Sequence, residues 1–193
     1  MLNRVRLHKT HKLIAPLRGR LLVAEPFAQD AYFSHAIILL LDAGDGGYMG
    51  LVLNKQLKKS LNHLFSKYGL EDMPVYCGGP VEKDRLFYLH NIPDVKGAVK
   101  INDGLYVGGE LQMLADHLKM DGQRYAIKFF MGYSGWFPGQ LESEIKDESW
   151  VVSSVNVDIF KAEKDQAWQD SLLALNDEYF SMWINFPFDP NSN

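Results

Sequence analysis

The sequence predicts a single α+β domain, a mixed and mostly antiparallel β-sheet flanked by helices. Three observations lead there. Short apolar, β-rich runs recur along the chain at 20–25, 35–41, 75–77, 86–90, 98–101, 105–107 and 124–131. Gly/Asn/Asp-rich breaks join some neighbouring runs as hairpins. Helical spacing is confined to brief stretches between strands, without the regular βαβ alternation of a doubly wound sheet. At 193 residues, 47% hydrophobic and 23% charged, the chain is long enough for one sizeable core and too apolar for a disordered polymer.

Arg20–Glu25 and His35–Leu41 read as strands, the second nearly continuous in apolar residues, as for a strand covered on both faces. Pro26 and Asp30 mark the loop between them. Ala43-Gly44-Asp45-Gly46-Gly47 supplies residues that tolerate positive φ ahead of Met49–Leu53, which predicts a tight connection between paired strands. Leu57, Leu61, Leu64, Phe65 and Tyr68 recur at i, i+4, i+7, i+8 and i+11, the spacing of one helix face, and Gly69 is placed to end that helix. Val75–Cys77 is a short strand cut off by Gly78-Gly79-Pro80, and Leu86–His90 is the next strand. Ala98–Ile101 and Leu105–Val107, separated by Asn102-Asp103-Gly104, form a further hairpin. Gly108-Gly109 precedes a short helix with Leu111, Leu114, Ala115 and Leu118 on its apolar face. Arg124–Met131, with Tyr125, Ile127, Phe129 and Met131 at alternate positions, is the clearest strand and is expected to stop in the Gly132–Gly139 cluster. Gln140–Lys146 resumes helical spacing, Trp150–Val152 reads as a strand, and Trp168, Leu172, Leu175, Tyr179 and Met182 predict one or two closing helices.

The net charge of −4 is unevenly placed: residues 1–20 hold six Lys/Arg and no Asp/Glu, whereas residues 140–193 hold three against eleven. The expected organisation is a basic, poorly ordered arm over residues 1–18, one domain over 19–185 and a tail over 186–193. A nucleic-acid-binding domain places its positive charge on the folded face that meets phosphate, so an acidic body argues against direct nucleic-acid binding. Binding through the arm is kept as the third reading. The longest uninterrupted apolar run, Ala36–Leu41, is far short of the roughly 18 residues of a membrane span. Arg4, Arg6, Lys9 and Lys12 interrupt any secretory apolar segment at the N-terminus. Cys77 is the only cysteine, which fits a reducing compartment. These points predict a cytoplasmic protein without membrane association.

Tests for motifs are mostly negative. Gly44, Gly46 and Gly50 do not match G-x-G-x-x-G, since the third position after Gly46 is Met49. Phosphate-loop, H-E-x-x-H and calcium-loop patterns are missing from the sequence, so no metal and no cofactor is predicted. Ser134 sits in Gly132-Tyr133-Ser134-Gly135-Trp136, where Trp136 occupies the place of the second glycine of a nucleophile elbow, and it reads as a turn-stabilising serine. Cys77 paired with His35 or His90 is the one nucleophile arrangement available, although a free cysteine is most often a small buried hydrophobe. Glu142 and Glu144, two residues apart, lie on different faces of a helix, and their early position suits the helix dipole.

Four blocks in order carry a family resemblance: Gly19–Pro26; Gly47-Tyr48-Met49-Gly50-Leu51-Val52-Leu53-Asn54; Gly78-Gly79-Pro80-Val81; and Gly132-Tyr133-Ser134-Gly135-Trp136-Phe137-Pro138-Gly139-Gln140-Leu141-Glu142 followed by Glu144 and Trp150. Together they resemble the AlgH/YqgE family of bacterial proteins over roughly residues 19–183. Gln56 stands where the family usually has Pro. The resemblance implies a cytosolic, single-domain α+β protein and names no reaction. It also brings the label of transcriptional regulator of alginate synthesis that some members carry, a role that the charge distribution makes indirect.

The first functional reading is therefore a non-enzymatic binding or indirect regulatory protein, for a small ligand or a protein partner. Its surface is expected at the glycine-rich turns, with Asn54, Gly78, Gly79, Pro80, Gly132, Gly135, Trp136, Gln140 and Glu142 as candidate residues, because glycines and aromatics crowd at strand ends where ligand crevices form. The second is a small-molecule enzyme using Cys77 or a histidine acid/base in the same crevice.

Overall fold

The computed structural model describes residues 14–28, 30–154, 157–162 and 164–184. Ten strands, β1 (Leu21–Ala24), β2 (Ile37–Gly44), β3 (Gly47–Val52), β4 (Gln56–Ser60), β5 (Pro74–Cys77), β6 (Val81–His90), β7 (Ala98–Asn102), β8 (Leu105–Gly108), β9 (Ile127–Trp136) and β10 (Trp150–Ser153), build one sheet. Its order is β10-β1-β2-β3-β9-β6-β8-β7, with β5 joined in parallel to β9 and β4 paired to β5. The other pairings are antiparallel. Helices α1 (Leu111–Asp121), α2 (Gln140–Lys146), α3 (Lys164–Leu173) and α4 (Glu178–Ile184) complete an α+β domain.

The sheet curls until the start of β1 approaches β7 at its far edge: the Arg18 guanidinium, just ahead of β1, donates to the Lys100 carbonyl of β7 at 2.6 Å. Period-two alternation then sorts the apolar side chains to two sides. Leu21, Val23, Ile37, Leu39, Leu51, Leu53 and Phe130 point inside, closed over by Trp168 and Leu172 of α3 and by Phe180 and Trp183 of α4. Leu22, Ile38, Leu40 and Val52 point outside and are covered by Trp136, Trp150 and Leu141 of α2. A third cluster packs Val75, Ile127 and Phe129 under Leu114 and Ala115 of α1. Each fully buried Leu, Ile or Phe stabilises by about 1.5–3 kcal/mol. This two-sided burial explains why Ile37–Leu41 is apolar without alternation.

Most of the expected elements are present, and two differ. No helix spans residues 57–68: Gln56–Ser60 is strand β4, and only His63–Tyr68 is helical, as a 3-10 segment. Leu57, Leu61, Phe65 and Tyr68 do share one core cluster, so the helical spacing reported shared burial reached by a strand and a turn. The strand beginning near Arg124 also does not stop at Met131; β9 continues through Gly132 to Trp136. Its first half lies between β5 and β6, and its second half pairs with β3 and with Val81. Residues 1–13 of the basic arm and the 186–193 tail lie outside the described residues; Ile14 packs against the outer cluster beneath α2.

Candidate functional site

The two glycine-rich turns meet, backbone against backbone. The Gly78 N–H donates to the Met131 carbonyl at 2.8 Å, and the Gly78 carbonyl accepts from the Val52 N–H at 2.9 Å and from Ser134 Oγ at 3.2 Å. β3, β9 and the β5–β6 turn therefore cross at one point. A Cβ on Gly78 would collide with the Gly132 carbonyl, and one on Gly132, at φ +71°, would stand 2.6 Å from the Gly79 oxygen. These glycines are spent on the crossing. Ser134, fully buried, ties it together and is no exposed nucleophile.

Beyond the crossing, β9 delivers Trp136 to the outer core, 6% exposed, with its ring edge-on to Trp150 at 6.1 Å. Both indole N–H groups donate to the same Glu144 oxygen, each at 2.8 Å, while the other Glu144 oxygen accepts from Gln140 Nε2 at 2.9 Å. Gln140 Oε1 in turn takes the Phe137 N–H at 3.1 Å. One carboxylate on α2 thus joins β9, β10 and the helix, a charge-assisted arrangement stronger than neutral hydrogen bonds. Glu142, on the exposed side of α2, accepts from the Tyr48 hydroxyl at 2.6 Å, and that bond pushes the phenol up to about 12. Phe137, at the tip between β9 and α2, is 81% exposed. Gly135 is exposed opposite Met49, and Pro80 is half-buried beside the crossing.

Asn54 serves the loop at 30–35. Its buried amide donates to the His35 carbonyl at 2.8 Å and accepts from the Ile37 N–H at 3.1 Å. This clamp holds His35 in the left-handed region, φ 51°, at a cost of about 1–3 kcal/mol for a non-glycine residue. The His35 ring lies tilted against Trp168 with centroids 4.5 Å apart and meets Asp165 at 3.2 Å from Nδ1. Next to Asn54, burial lowers the Lys55 ammonium below its ordinary range, and Asp165 pulls it back up. The Lys55 carbonyl accepts from the Cys77 N–H at 2.7 Å. Burial pushes the Cys77 thiol up, opposed by a backbone hydrogen bond and by the Lys83 and Lys59 charges. Lys83 lies 5.2 Å from the Tyr32 ring centroid and is held charged by its bond to that tyrosine.

Neither histidine considered as a partner for Cys77 is among its contacts. His90 is fully buried with Nε2 2.9 Å from the Gly108 carbonyl and Nδ1 accepting from the Ile92 N–H, and burial lowers it toward the neutral form. Lys128, another buried polar residue that sequence inspection passed over, donates to the Ile159 and Ala162 carbonyls and stands 3.9 Å from the Tyr76 ring centroid. Alternation along Tyr125, Ile127, Phe129 and Met131 puts Lys128 on the opposite face, with Phe130, and it is buried because that face of β9 is covered as well, which spacing alone does not signal. Among the described residues, no three His, Cys, Asp or Glu side chains are grouped to hold a metal. No helix among them is long and apolar enough to cross a membrane.

A curled, mostly antiparallel sheet with a strand shared between its halves, closed by a carboxylate–tryptophan junction, defines a single-domain α+β protein of a distinct type. The chain belongs to the AlgH-like family, DUF179, whose model matches residues 21–180. It is similar to a UPF0301 protein of Parabacteroides distasonis, 41% identical over 192 residues and covering 95% of each chain, and to one of Bacteroides thetaiotaomicron, 38% identical over 93% of each. Two solved structures share the fold: a Corynebacterium diphtheriae protein, TM-score 0.71 and 18% identity over 91% of this chain and 95% of its own, and the AlgH protein of Pseudomonas aeruginosa, TM-score 0.66 and 22% identity over 92% and 98%.

Proposed function

We propose that the protein is a non-enzymatic binding protein of the cytoplasm that acts in regulation through a protein partner, docked on the β9–α2 tip. The observation that carries this reading is Phe137, an aromatic side chain 81% exposed at the end of a rigid mount. A single exposed apolar residue is ordinary; one presented on the hydrogen-bonded Gln140–Glu144–Trp136–Trp150 frame loses little entropy on docking, which is how aromatic anchors work. Glu142, exposed in the first turn of α2, gives the tip an acidic edge. The matching partner has an apolar pocket edged by Lys or Arg. The acidic body supports an indirect role over direct contact with DNA.

The test is a photo-activated benzophenone amino acid placed at 137 in living cells, with Met120, 84% exposed on α1, as the control position. A protein crosslinked from 137 and not from 120, and lost when Glu142→Lys reverses the charge at that edge, supports the reading. Equal crosslinking from both positions, or none from 137, overturns it.

A further inference from the structure

Helix α3 faces two ways. One side carries Trp168 and Leu172 into the inner core, where the Trp168 indole donates to the Ala24 carbonyl at 2.8 Å. The other borders an open groove of about 500 Å³, walled on its far side by residues 157–162. Ala162 and Ala167, 2% and 7% exposed, form its floor, and Val157 and Ala174 extend the apolar lining. The polar groups at the rim are paired with one another: Lys161 meets Asp158 at 3.0 Å, and the Gln166 amide donates to Asp170 at 2.8 Å. What the groove offers an occupant is therefore apolar surface. Its far wall is fixed in place, since the buried Lys128 ammonium donates to the Ile159 and Ala162 carbonyls. Leu173, 55% exposed and in line with Gln166 and Asp170 on α3, continues the apolar surface past the groove. Apolar surface left in water forfeits the gain of burial.

The chain brings matching side chains to this place. Ile184, at the end of α4, packs on the same cluster that holds Val157, Ala162 and Ala167. The residues that follow it are Asn185-Phe186-Pro187-Phe188-Asp189-Pro190. Proline has no N–H for a helix interior and biases the residue before it to extended backbone, so this stretch is unsuited to carry α4 onward through its two phenylalanines. Phe188 stands four residues beyond Ile184, a reach of roughly 13 Å in extended chain. The ten residues of α3 span about 15 Å, so both rings are within reach of the groove. Each brings roughly 150–250 Å² of surface to bury. We propose that the segment after α4 folds back along α3 and seats Phe186 and Phe188 in this groove, so that the protein closes its own apolar cleft. The proposal is independent of the Phe137 tip, which belongs to the β9–α2 connection.

The purified full chain tests it, carrying p-benzoylphenylalanine in place of Phe186 or of Phe188, irradiated and mapped by peptide mass spectrometry. The expected product is an adduct within one chain, from at least one of the two positions to residues 157–174. Ala174→Trp and, separately, Gln166→Trp place an indole in the groove from exposed positions of α3. Each should remove that adduct while the far-ultraviolet circular dichroism keeps its native shape, and where one variant does not fold the other supplies the comparison. Lys146→Trp, exposed in α2 and away from the groove, should leave the adduct in place. Four results overturn the proposal: adducts that join two copies, as when the segment lies in a neighbour's groove; adducts to other elements only; no adduct from either position; or an adduct that survives both groove-filling tryptophans.

Discussion

The α2 mount and the end of the sheet around Cys77 treat their polar side chains in opposite ways. At the mount, one carboxylate absorbs two indole donors and an amide, and nothing charged is left facing the core. Around Cys77, the charges of Lys83 and Lys59 oppose the effect of burial on the thiol, and Asp165 does the same for the half-buried Lys55. The mount coincides with the densest Gly/Trp/Pro stretch of the sequence. Dense motif residues here report how backbones are brought together, and the lysines and the thiol come together from separate strands without a motif.

The sharpest break of this contrast is at the crossing that supports both regions. Gly78→Ala drives a methyl group into the Gly132 carbonyl and should cost at least about 4 kcal/mol, measured as loss of a cooperative urea transition or failure to yield folded protein. Next is Glu144→Ala, which strands the two indole donors and is expected to cost about 2–4 kcal/mol. Glu144→Gln should recover part of it, because an amide oxygen still accepts; denaturation followed by tryptophan fluorescence separates the two.

A third prediction concerns pH. His90 is buried in its neutral form, with its folded-state pKa lowered by burial below the ordinary value near 6.5. Its contribution is complete above about pH 6.5 and is lost as pH falls through the lower folded-state value, since only the unfolded chain takes the proton readily. Urea midpoints should therefore decline between pH 7 and pH 5, and His90→Gln should flatten that decline. The smallest effect is expected at the tip: Phe137→Ser should change stability by no more than about 0.5 kcal/mol, which separates a docking residue from the Trp136 beside it.

Much of the fold was legible because burial alternates or repeats: β1, β2, the 44–47 turn, the β7–β8 hairpin, α1 and α2 follow from spacing and turn chemistry. β4 was not, since Leu57 and Leu61 reach the same cluster as Phe65 and Tyr68 by way of an extended edge strand. The end of β9 was misread because glycine marks both a turn and a close approach of chains, and at Gly132 the second applies. Of the residues expected to bind a ligand or partner, Asn54, Gly78, Gly79 and Gly132 make their close contacts with the protein's own backbone. His35, Lys55 and Asp165 could not have been grouped in advance, because they come together only where α3 closes over the sheet.

β9 also sets the order in which the protein can be made. The N-terminal sheet needs residues 134–136 beside β3 and residues 150–153 beside β1, so the first half of the chain leaves the ribosome with neither flank covered. Its most apolar stretch, Ile37–Leu41, waits through the synthesis of about a hundred further residues at roughly 5–20 per second. The interval of greatest danger is then several seconds of translation, and a pause between the emergence of β2 and that of β9 would lengthen it, whereas one after β10 has emerged would not.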